Sequence, residues 1–212
     1  KAVIFDLGYS INQIKDLSRG LSFKSTGKLN MKMGLNSFSA NEVINNLEDK
    51  DLEKILKYFG DERDAKAISK NIGRIKSSKK IDTKDLVNII ERSKRRKNYK
   101  THSATKTFQA LRIFVNKELT ELILGLIEAA KLLSNGGILI VVSFHSLEDR
   151  IVKNFFKKES KYCICPPNIP ECDCGHFPKL KIITKKPVSP SQSEIDANKR
   201  SRSAKLRVVE RI

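Results

Sequence analysis

A long amphipathic segment that runs into a buried strand constrains the fold of this chain more than any other feature. Over residues 105–133, apolar side chains recur at spacings of three and four, which predicts one long helix with a single buried face. The helix is expected to stop at Ser134-Asn135-Gly136-Gly137, and the apolar run ILIVVSF at 138–144 is typical of a buried strand in a parallel sheet. Helix, glycine turn and strand form half of a βαβ unit, so the sequence predicts an α/β fold.

A strand is also predicted where the sequence opens. The apolar run within KAVIFDLGYSINQ, residues 1–13, stops at Asp6 and turns at Gly8. Ligands of open α/β sheets bind beyond the carboxyl ends of strands, so Asp6 is a candidate for chemistry, although such an Asp can equally cap the following turn. Two more strands are predicted at 180–186 and 204–212, and the lack of an obvious crossover helix between them favours antiparallel pairing.

Between the opening strand and the long helix, the sequence predicts a loop and a set of short helices. Residues 21–38 have no sustained period, and four short amphipathic helices then follow, the first beginning at a capping box made by Ser39 and Glu42. Gly60 is predicted as the left-handed residue that ends the second helix. These helices resemble an all-α insert. It ends in the basic run RSKRRKNYK at 92–100, which is either a solvated helix end or a phosphate-contacting segment.

The charge balance indicates a polyanionic partner. The 212 residues include 42 Lys and Arg against 24 Asp and Glu, for a net charge of +18. The positive electrostatic field of such a chain favours nucleic acid over a membrane surface as the partner. The alternative is a lysine-rich surface without a specific function. No apolar run approaches the roughly 20 residues that cross a bilayer, and no secretory signal stands near Lys1, so we expect a cytoplasmic protein without membrane contact. The missing initiator Met suggests a fragment or a processed chain.

Polar residues gather at the ends of two predicted elements. The stretch THSATKTFQALR at 101–112 leads into the long helix, where hydroxyls and cations could hold an anion or could simply cap the helix and face solvent. Gln109, Arg112 and Asn116 fall on one stripe of that helix with Thr105.

The motif SFHSLEDR at 143–150 places Ser143 and His145 at the carboxyl end of the second strand. A Gly-x-Ser-x-Gly turn is missing and no acid has triad spacing, so nucleophilic catalysis by this Ser-His pair has weak support.

All cysteines of the chain lie within twelve positions, at Cys163, Cys165, Cys172 and Cys174. Without an export signal, thiolates favour metal binding over disulfides. The spacing C-x-C…C-x-C differs from the usual C-x-x-C pattern. We therefore keep two hypotheses, a closed structural zinc site and reduced thiols in a proline-stiffened loop.

Five stretches in fixed order carry a family resemblance: FDLGYSINQ, RGLSFKSTGKLNMKM, HSATKTFQALRIFVNKEL, SFHSLEDRIVKNFF and RSAKLR. From about Val3 to Arg211 the chain resembles the MraW (RsmH) family of bacterial S-adenosylmethionine-dependent methyltransferases. The resemblance implies a Rossmann-like class I methyltransferase core, partial because its first strands are missing, with an inserted all-α domain. We expect the core at 1–21 and 101–212, a loop and helical RNA-binding insert at 22–100, and a Cys/Pro-rich knuckle at 161–178.

By motif match, Asp6 and Gln13 correspond to cofactor-contacting residues of the family. Asp6 is also expected near the reacting centre, with His145 as a second catalytic candidate. The candidates for substrate binding are Ser143, His102, Gln109, Arg112 and Asn116. Two departures from the family are local: Ser-Ser-Pro-Gln is replaced by Ser10-Ile11-Asn12-Gln13, and Leu-Asp-Met by Leu29-Asn30-Met31.

The resemblance implies methylation of the exocyclic amine (N4) of a cytosine in small-subunit (16S) ribosomal RNA, with S-adenosylmethionine as cofactor and the RNA or the assembling subunit as partner. This chemistry requires alignment and a hydrogen-bond acceptor rather than a covalent adduct. The family's Gly-Gly-His-Ser cofactor loop lies upstream of the opening strand, so we expect weak cofactor binding by residues 1–212 alone. The competing hypothesis is a non-catalytic basic RNA-binding module.

Overall fold

The computed structural model describes residues 1–23, 25, 28–34, 36–95, 102–166 and 171–212. The chain forms two compact units. The sheet unit comprises Lys1–Gly8 and Leu119–Ile212, and the helical unit comprises Tyr9–Glu118. None of the helices in these described ranges is long and apolar enough to cross a membrane.

The sheet unit has a sheet of four strands in the order β1-β2-β4-β3. Their bounds are β1 Ala2–Asp6, β2 Ile138–Ser143, β3 Leu180–Ile182 and β4 Lys205–Arg211. Strands β1 and β2 are parallel, whereas β4 is antiparallel to both β2 and β3, which confirms the predicted pairing of the last two strands. Strand β3 is shorter than predicted because the amides of Ile183 and Thr184 both donate to the same carbonyl, that of Val208, and the ladder ends there.

Among the described residues, three α-helices accompany the sheet: α7 Glu118–Leu132, α8 Ser146–Glu159 and α9 Gln192–Ala197. The core combines one face of β2 with apolar residues of α7 and α8, because alternate residues of β2 point to opposite faces. Its fully or nearly fully buried members include Leu126, Leu139, Val141, Val152, Phe156 and Val209.

The helical unit contains six helices among its described residues. They are α1 Ile11–Lys15, α2 Ala40–Asn46, α3 Asp49–Gly60, α4 Ala65–Lys76, α5 Thr83–Ser93 and α6 Thr105–Asn116. The capping box that begins α2 is confirmed: Glu42 N donates to Ser39 Oγ at 3.3 Å, and Ser39 N donates to Glu42 Oε2 at 2.7 Å. The core of this unit is separate from that of the sheet unit.

The predicted role of Gly60 as the left-handed terminator of α3 is wrong. That conformation belongs to Asp61, at φ +46°, and Gly60 is the last helical residue. A Cβ at Gly60 would lie 2.5 Å from the carbonyl oxygen of Lys106. Glycine is therefore required by the close approach of α3 and α6.

The prediction of a single long helix at 105–133 is also wrong, because the helix is interrupted at Lys117. This residue has φ +51°, and its N–H donates to the carbonyls of Ile113 and Phe114, which ends α6 before α7 begins. The apolar stripe continues through this interruption, but its two halves belong to different cores. Phe108 lies in the core of the helical unit, and Leu126 lies in the core of the sheet unit. Because α6 packs on α3 and α2, residues 102–118 join the helical unit rather than the predicted core segment.

The basic run predicted at 92–100 lies partly outside the described residues, which end at Arg95 before the gap. Within the described part, Lys94 Nζ lies 2.5 Å from both carboxylate oxygens of Glu62. The side chains are 11% and 1% exposed, respectively, so this cation is held in a buried ion pair rather than offered to solvent.

Candidate functional site

In the sheet unit, the carboxyl ends of β1 and β2 lie side by side. Asp6 ends β1 opposite Val142, and Leu7 N donates to the carbonyl of Val142 at 3.1 Å as the last bond of this ladder. Gly8 follows at φ +110°, a conformation that favours glycine. The Asp6 side chain is exposed and makes no hydrogen bond or ion pair with any residue that the structure describes. The end of β1 therefore presents a carboxylate that no described residue of the protein engages.

At the end of β2, the two candidates from the SFHSLEDR motif make structural contacts. Ser143 is 2% exposed, and its hydroxyl donates to the Lys205 carbonyl at 3.3 Å. His145 caps α8: its Nδ1 accepts from Glu148 N at 3.4 Å, while Glu148 Oε2 accepts from the amides of Phe144 at 2.9 Å and His145 at 3.3 Å. Nε2 of His145 lies 3.0 Å from Glu148 Oε1 but outside hydrogen-bonding geometry. The imidazole thus orders the β2–α8 turn.

A buried ion pair that no sequence pattern indicated joins α8 to β4. Asp149 Oδ1 accepts from Arg207 Nε at 2.7 Å, Oδ2 accepts from Arg207 Nη2 at 3.3 Å, and Lys205 Nζ lies 3.2 Å from Oδ2. Burial alone would raise the pKa of Asp149, but hydrogen bonds and charge from Arg207, with help from Lys205, hold this pKa below its ordinary value. Both partners lie in motifs that carry the family resemblance, SFHSLEDR and RSAKLR.

Three of the candidates for substrate binding, Gln109, Arg112 and Asn116, lie on α6 in the helical unit. Arg112 makes a two-point ion pair with Glu118, with Nε–Oε1 and Nη2–Oε2 distances of 2.8 and 2.9 Å. Its guanidinium also lies 4.4 Å from the centre of the Tyr9 ring. Gln109 is half-buried on the same helix, and its amide makes no hydrogen bond within the described ranges. The charge of Arg112 is therefore already matched by the protein.

Asn116 fastens the preceding loop to the end of α6. Its Nδ2 donates to the carbonyls of Met31 and Arg112, both at 2.8 Å. Its Oδ1 accepts from Met33 N at 2.8 Å and from Asn36 Nδ2 at 2.6 Å. Met31 is fully buried at φ +56°, a conformation that is costly for a residue other than glycine. All four hydrogen-bonding positions of this amide are used, and they hold the loop in place.

The candidates His102 and Gln13 make contacts within the protein that the sequence analysis did not predict. His102 stacks on Phe23, with ring centres 4.5 Å apart, and its Nδ1 accepts from Ala104 N at 3.2 Å. Gln13 completes a capping box at α1, where its Oε1 accepts from Ser10 N at 2.9 Å and its own N–H donates to Ser10 Oγ at 3.3 Å. The neighbouring Thr101 lies outside the described residues.

The four cysteines of the knuckle converge, so that their Sγ atoms lie within 4.8 Å of one another. In the helical unit, a groove of about 590 Å³ lies between α4 and α5. Its lining includes Asn71, Arg74, Lys79, Asp85, Asn88 and Arg92. Lys79 pairs with Asp85 at 2.7 Å, whereas Arg74 and Arg92 are exposed and make no ion pair within the part of the chain that the structure describes.

Comparison with known proteins assigns these motifs to one family, whose model, described as the MraW methylase family, matches residues 1–212. The chain belongs to the MraW methylase family. Relatives named ribosomal RNA small subunit methyltransferase H are 45% identical in Finegoldia magna, 46% in Caldicellulosiruptor saccharolyticus and 42% in Clostridioides difficile. Each of these alignments covers 99% of this chain and 69% of the relative. The MraW chain described here therefore spans about two thirds of the length of these relatives.

Proposed function

We propose that this protein transfers a methyl group from S-adenosylmethionine to the exocyclic amine (N4) of a cytosine in small-subunit ribosomal RNA. The observation that carries the proposal is the uncommitted Asp6 carboxylate at the carboxyl end of β1, in a chain that matches the MraW methylase family along all its residues. The relatives' names supply the class of substrate. The cytoplasm, where ribosomal subunits assemble, would be the place of action.

The residues at the strand end fit such a cofactor. Asp6 offers an exposed carboxylate as an acceptor, two residues before the turn at Gly8. By resemblance to the family, Asp6 and Gln13 would hold the cofactor, which supplies an electrophilic methyl group when bound. Gln13 uses its Oε1 to cap α1, which leaves its amide nitrogen as the group for such a contact.

The amine needs orientation and an acceptor for its N–H, and an anionic side chain provides both. We assign this role to Asp6. His145 is a positioning residue in this proposal, because its ring caps α8 and fixes the turn that follows β2. The four cysteines face one another, so none is placed as the nucleophile that methylation at a ring carbon would require.

RNA binding is assigned to the helical insert at 22–100. The groove between α4 and α5 supports this assignment, because Arg74 and Arg92 present two exposed guanidinium groups beside the amide of Asn88. Guanidinium groups bind phosphate through two parallel hydrogen bonds. Small-subunit RNA, or the assembling subunit, would thus be held chiefly by its backbone. Of the remaining candidates, His102, Arg112, Asn116 and Ser143 would shape the substrate site mainly through the contacts they make within the protein, whereas the Gln109 amide would be available to the substrate.

The test uses the protein expressed from its complete gene and compares Asp6→Asn with the control Asp196→Asn, which removes an exposed carboxylate on α9. We expect Asp6→Asn to lower the rate of tritiated methyl transfer to unmodified small subunits by at least about 100-fold, with RNA binding at low salt unchanged. Nucleoside analysis by mass spectrometry should place the methyl group on N4. Full activity of Asp6→Asn would overturn the assignment. RNA binding by the wild-type protein without any methyl transfer would favour the non-catalytic module.

A further inference from the structure

In the chain between α8 and β3, the described residues 160–166 and 171–179 contain no helix or strand. Tyr162 is 80% exposed and Phe177 is 74% exposed, so the two aromatic rings do not anchor it in a core. Contacts at its far end join it to α8: His176 Nε2 lies 3.1 Å from the Lys158 carbonyl, Lys179 N donates to the Glu159 carbonyl at 2.8 Å, and Lys179 Nζ lies 3.8 Å from Glu159 Oε2.

Nevertheless, the four cysteine Sγ atoms of this segment form one cluster. The Sγ–Sγ distances are 3.5 Å between Cys172 and Cys174, 3.9 Å between Cys163 and Cys174, and 4.0 Å between Cys165 and Cys172. A disulfide requires about 2.05 Å, so these pairs are not bonded to each other. A zinc ion bound by four thiolates at about 2.3 Å places sulfurs at the corners of a tetrahedron whose edge is about 3.8 Å. The observed spacings bracket that edge.

Backbone amides around the cluster point toward sulfur. The N–H of Cys165 donates to Cys163 Sγ at 3.3 Å, and the N–H of Ile164 donates to Cys174 Sγ at 3.5 Å. Such N–H···S bonds stabilise negative charge on sulfur and orient it, as outer-shell contacts do around bound metals.

We propose that one zinc ion is bound by Cys163, Cys165, Cys172 and Cys174 in a closed structural site. The ion would cross-link and stabilise the segment between α8 and β3. A four-sulfur tetrahedron is a geometry that selects zinc or iron among biological metals. The sulfurs enclose room for a single ion, because a multi-iron cluster would need its ligands farther apart. All four positions are occupied by protein thiolates, so the ion has no open site and takes no part in methyl transfer. The inference is independent of the proposed function.

Metal analysis of the protein purified without added metal tests the proposal. We expect about one zinc per chain by plasma mass spectrometry for the wild type. Cys172→Ser should lose most of that zinc, whereas Asp173→Asn, which alters the exposed carboxylate next to it, should keep the full amount. Because Cys172→Ser could also misfold, the wild type is stripped with chelator and titrated with cobalt(II). A four-thiolate site then gives the intense visible absorption of tetrahedral cobalt, which added zinc abolishes.

A second readout follows the segment itself. Limited proteolysis should cut residues 160–179 of the chelator-treated protein at least ten times faster than those of the zinc-loaded protein, with cleavage elsewhere unchanged. The proposal is overturned if the wild type contains less than a tenth of an equivalent of zinc and does not give the cobalt spectrum, or if iron is the metal found. Failure of methyl transfer would leave these readouts unaffected, so the two proposals can fail separately.

Discussion

Asp149, in the first turn of α8, accepts a hydrogen bond of 2.7 Å from Nε of Arg207, which lies 58 residues further on in β4. The side chains are 12% and 9% exposed, respectively, so the pair is largely removed from water. Removing one partner of a buried ion pair leaves an uncompensated charge, whereas replacing both by apolar groups can be neutral. The pair thus makes the position of α8 on the sheet depend on β4.

We predict that Arg207→Met lowers the free energy of unfolding by about 3 kcal/mol, because Asp149 then stays buried with only Lys205 nearby. The double variant Asp149→Leu/Arg207→Met should recover most of this loss. Hydrogen exchange of the β4 amides measures both effects locally. Lys181→Gln serves as the control, since its ion pair with Glu210 is exposed and should contribute less than about 1 kcal/mol. If Arg207→Met were as stable as the wild type, the pair would not be a stabilising contact.

The same pair predicts a pH dependence. The folded-state pKa of Asp149 is lowered, so its contribution to stability is present above the unfolded-state pKa of about 3.9 and is lost as the pH falls through the folded-state pKa. The stability difference between the wild type and Asp149→Asn should therefore be constant above about pH 5 and shrink below about pH 4. Urea denaturation across this range measures it. A difference that grew on acidification would contradict the direction assigned to the pKa.

Asn116→Ala is expected to release the loop at 28–34 from α6. The change leaves the amide of Met33 and the carbonyl of Met31 without their partner, at a cost of about 2 to 3 kcal/mol. Amide exchange of Met31 and Met33 should accelerate together. Asn36→Ala removes only one of the four bonds to Asn116 and should have a small effect. Equal effects of the two variants would mean that the Asn116 amide is not the central contact.

Gly60→Ala should destabilise the helical unit by about 1 to 3 kcal/mol, because the new Cβ would overlap the Lys106 carbonyl between α3 and α6. Gly34→Ala is the matched control, since a Cβ there has no neighbour within 4 Å among the described residues. The melting temperatures of both variants, compared with that of the wild type, measure this loss of stability. If Gly60→Ala instead raised the melting temperature, helix propensity would outweigh packing at this position.

The groove between α4 and α5 can be tested through salt dependence. Replacing Arg74 and Arg92 by Gln should weaken binding of single-stranded RNA and reduce the slope of log K against log salt by about 1.4, or about 0.7 for each lost phosphate contact. Fluorescence anisotropy between low and moderate salt measures that slope. Lys50→Gln, which removes an exposed cation from α3, is the control. An unchanged salt slope in the double variant would show that the groove does not contact RNA phosphates.

Local patterns predicted local structure well. The capping box of Ser39 and Glu42 and the two strands β1 and β2 follow from neighbouring residues, and all are confirmed. The break at Lys117 was missed because the apolar period continues in phase through it. In a continuous helix, Arg112 and Glu118 would lie on different faces, so their two-point ion pair requires the break.

The candidate site was predictable in part. The position of Asp6 follows from a strand end, which is visible in the sequence, whereas the partners of Ser143 and Asn116 lie 62 and 85 residues away at Lys205 and Met31. Contacts at such separations depend on the assembled fold. For the same reason, the pairing of Asp149 with Arg207 could not be read from either motif alone.

The loop tied down by Asn116 has a consequence for how the sequence can vary. Leu29 and Met31 are fully buried although they belong to neither a helix nor a strand, and the Leu29 carbonyl accepts a hydrogen bond of 2.7 Å from Asn41 N at the start of α2. Surface loops usually accept substitutions and changes of length. Leu29 and Met31 should be exceptions, so substitutions at these two loop positions will be tolerated as poorly as substitutions in a protein interior.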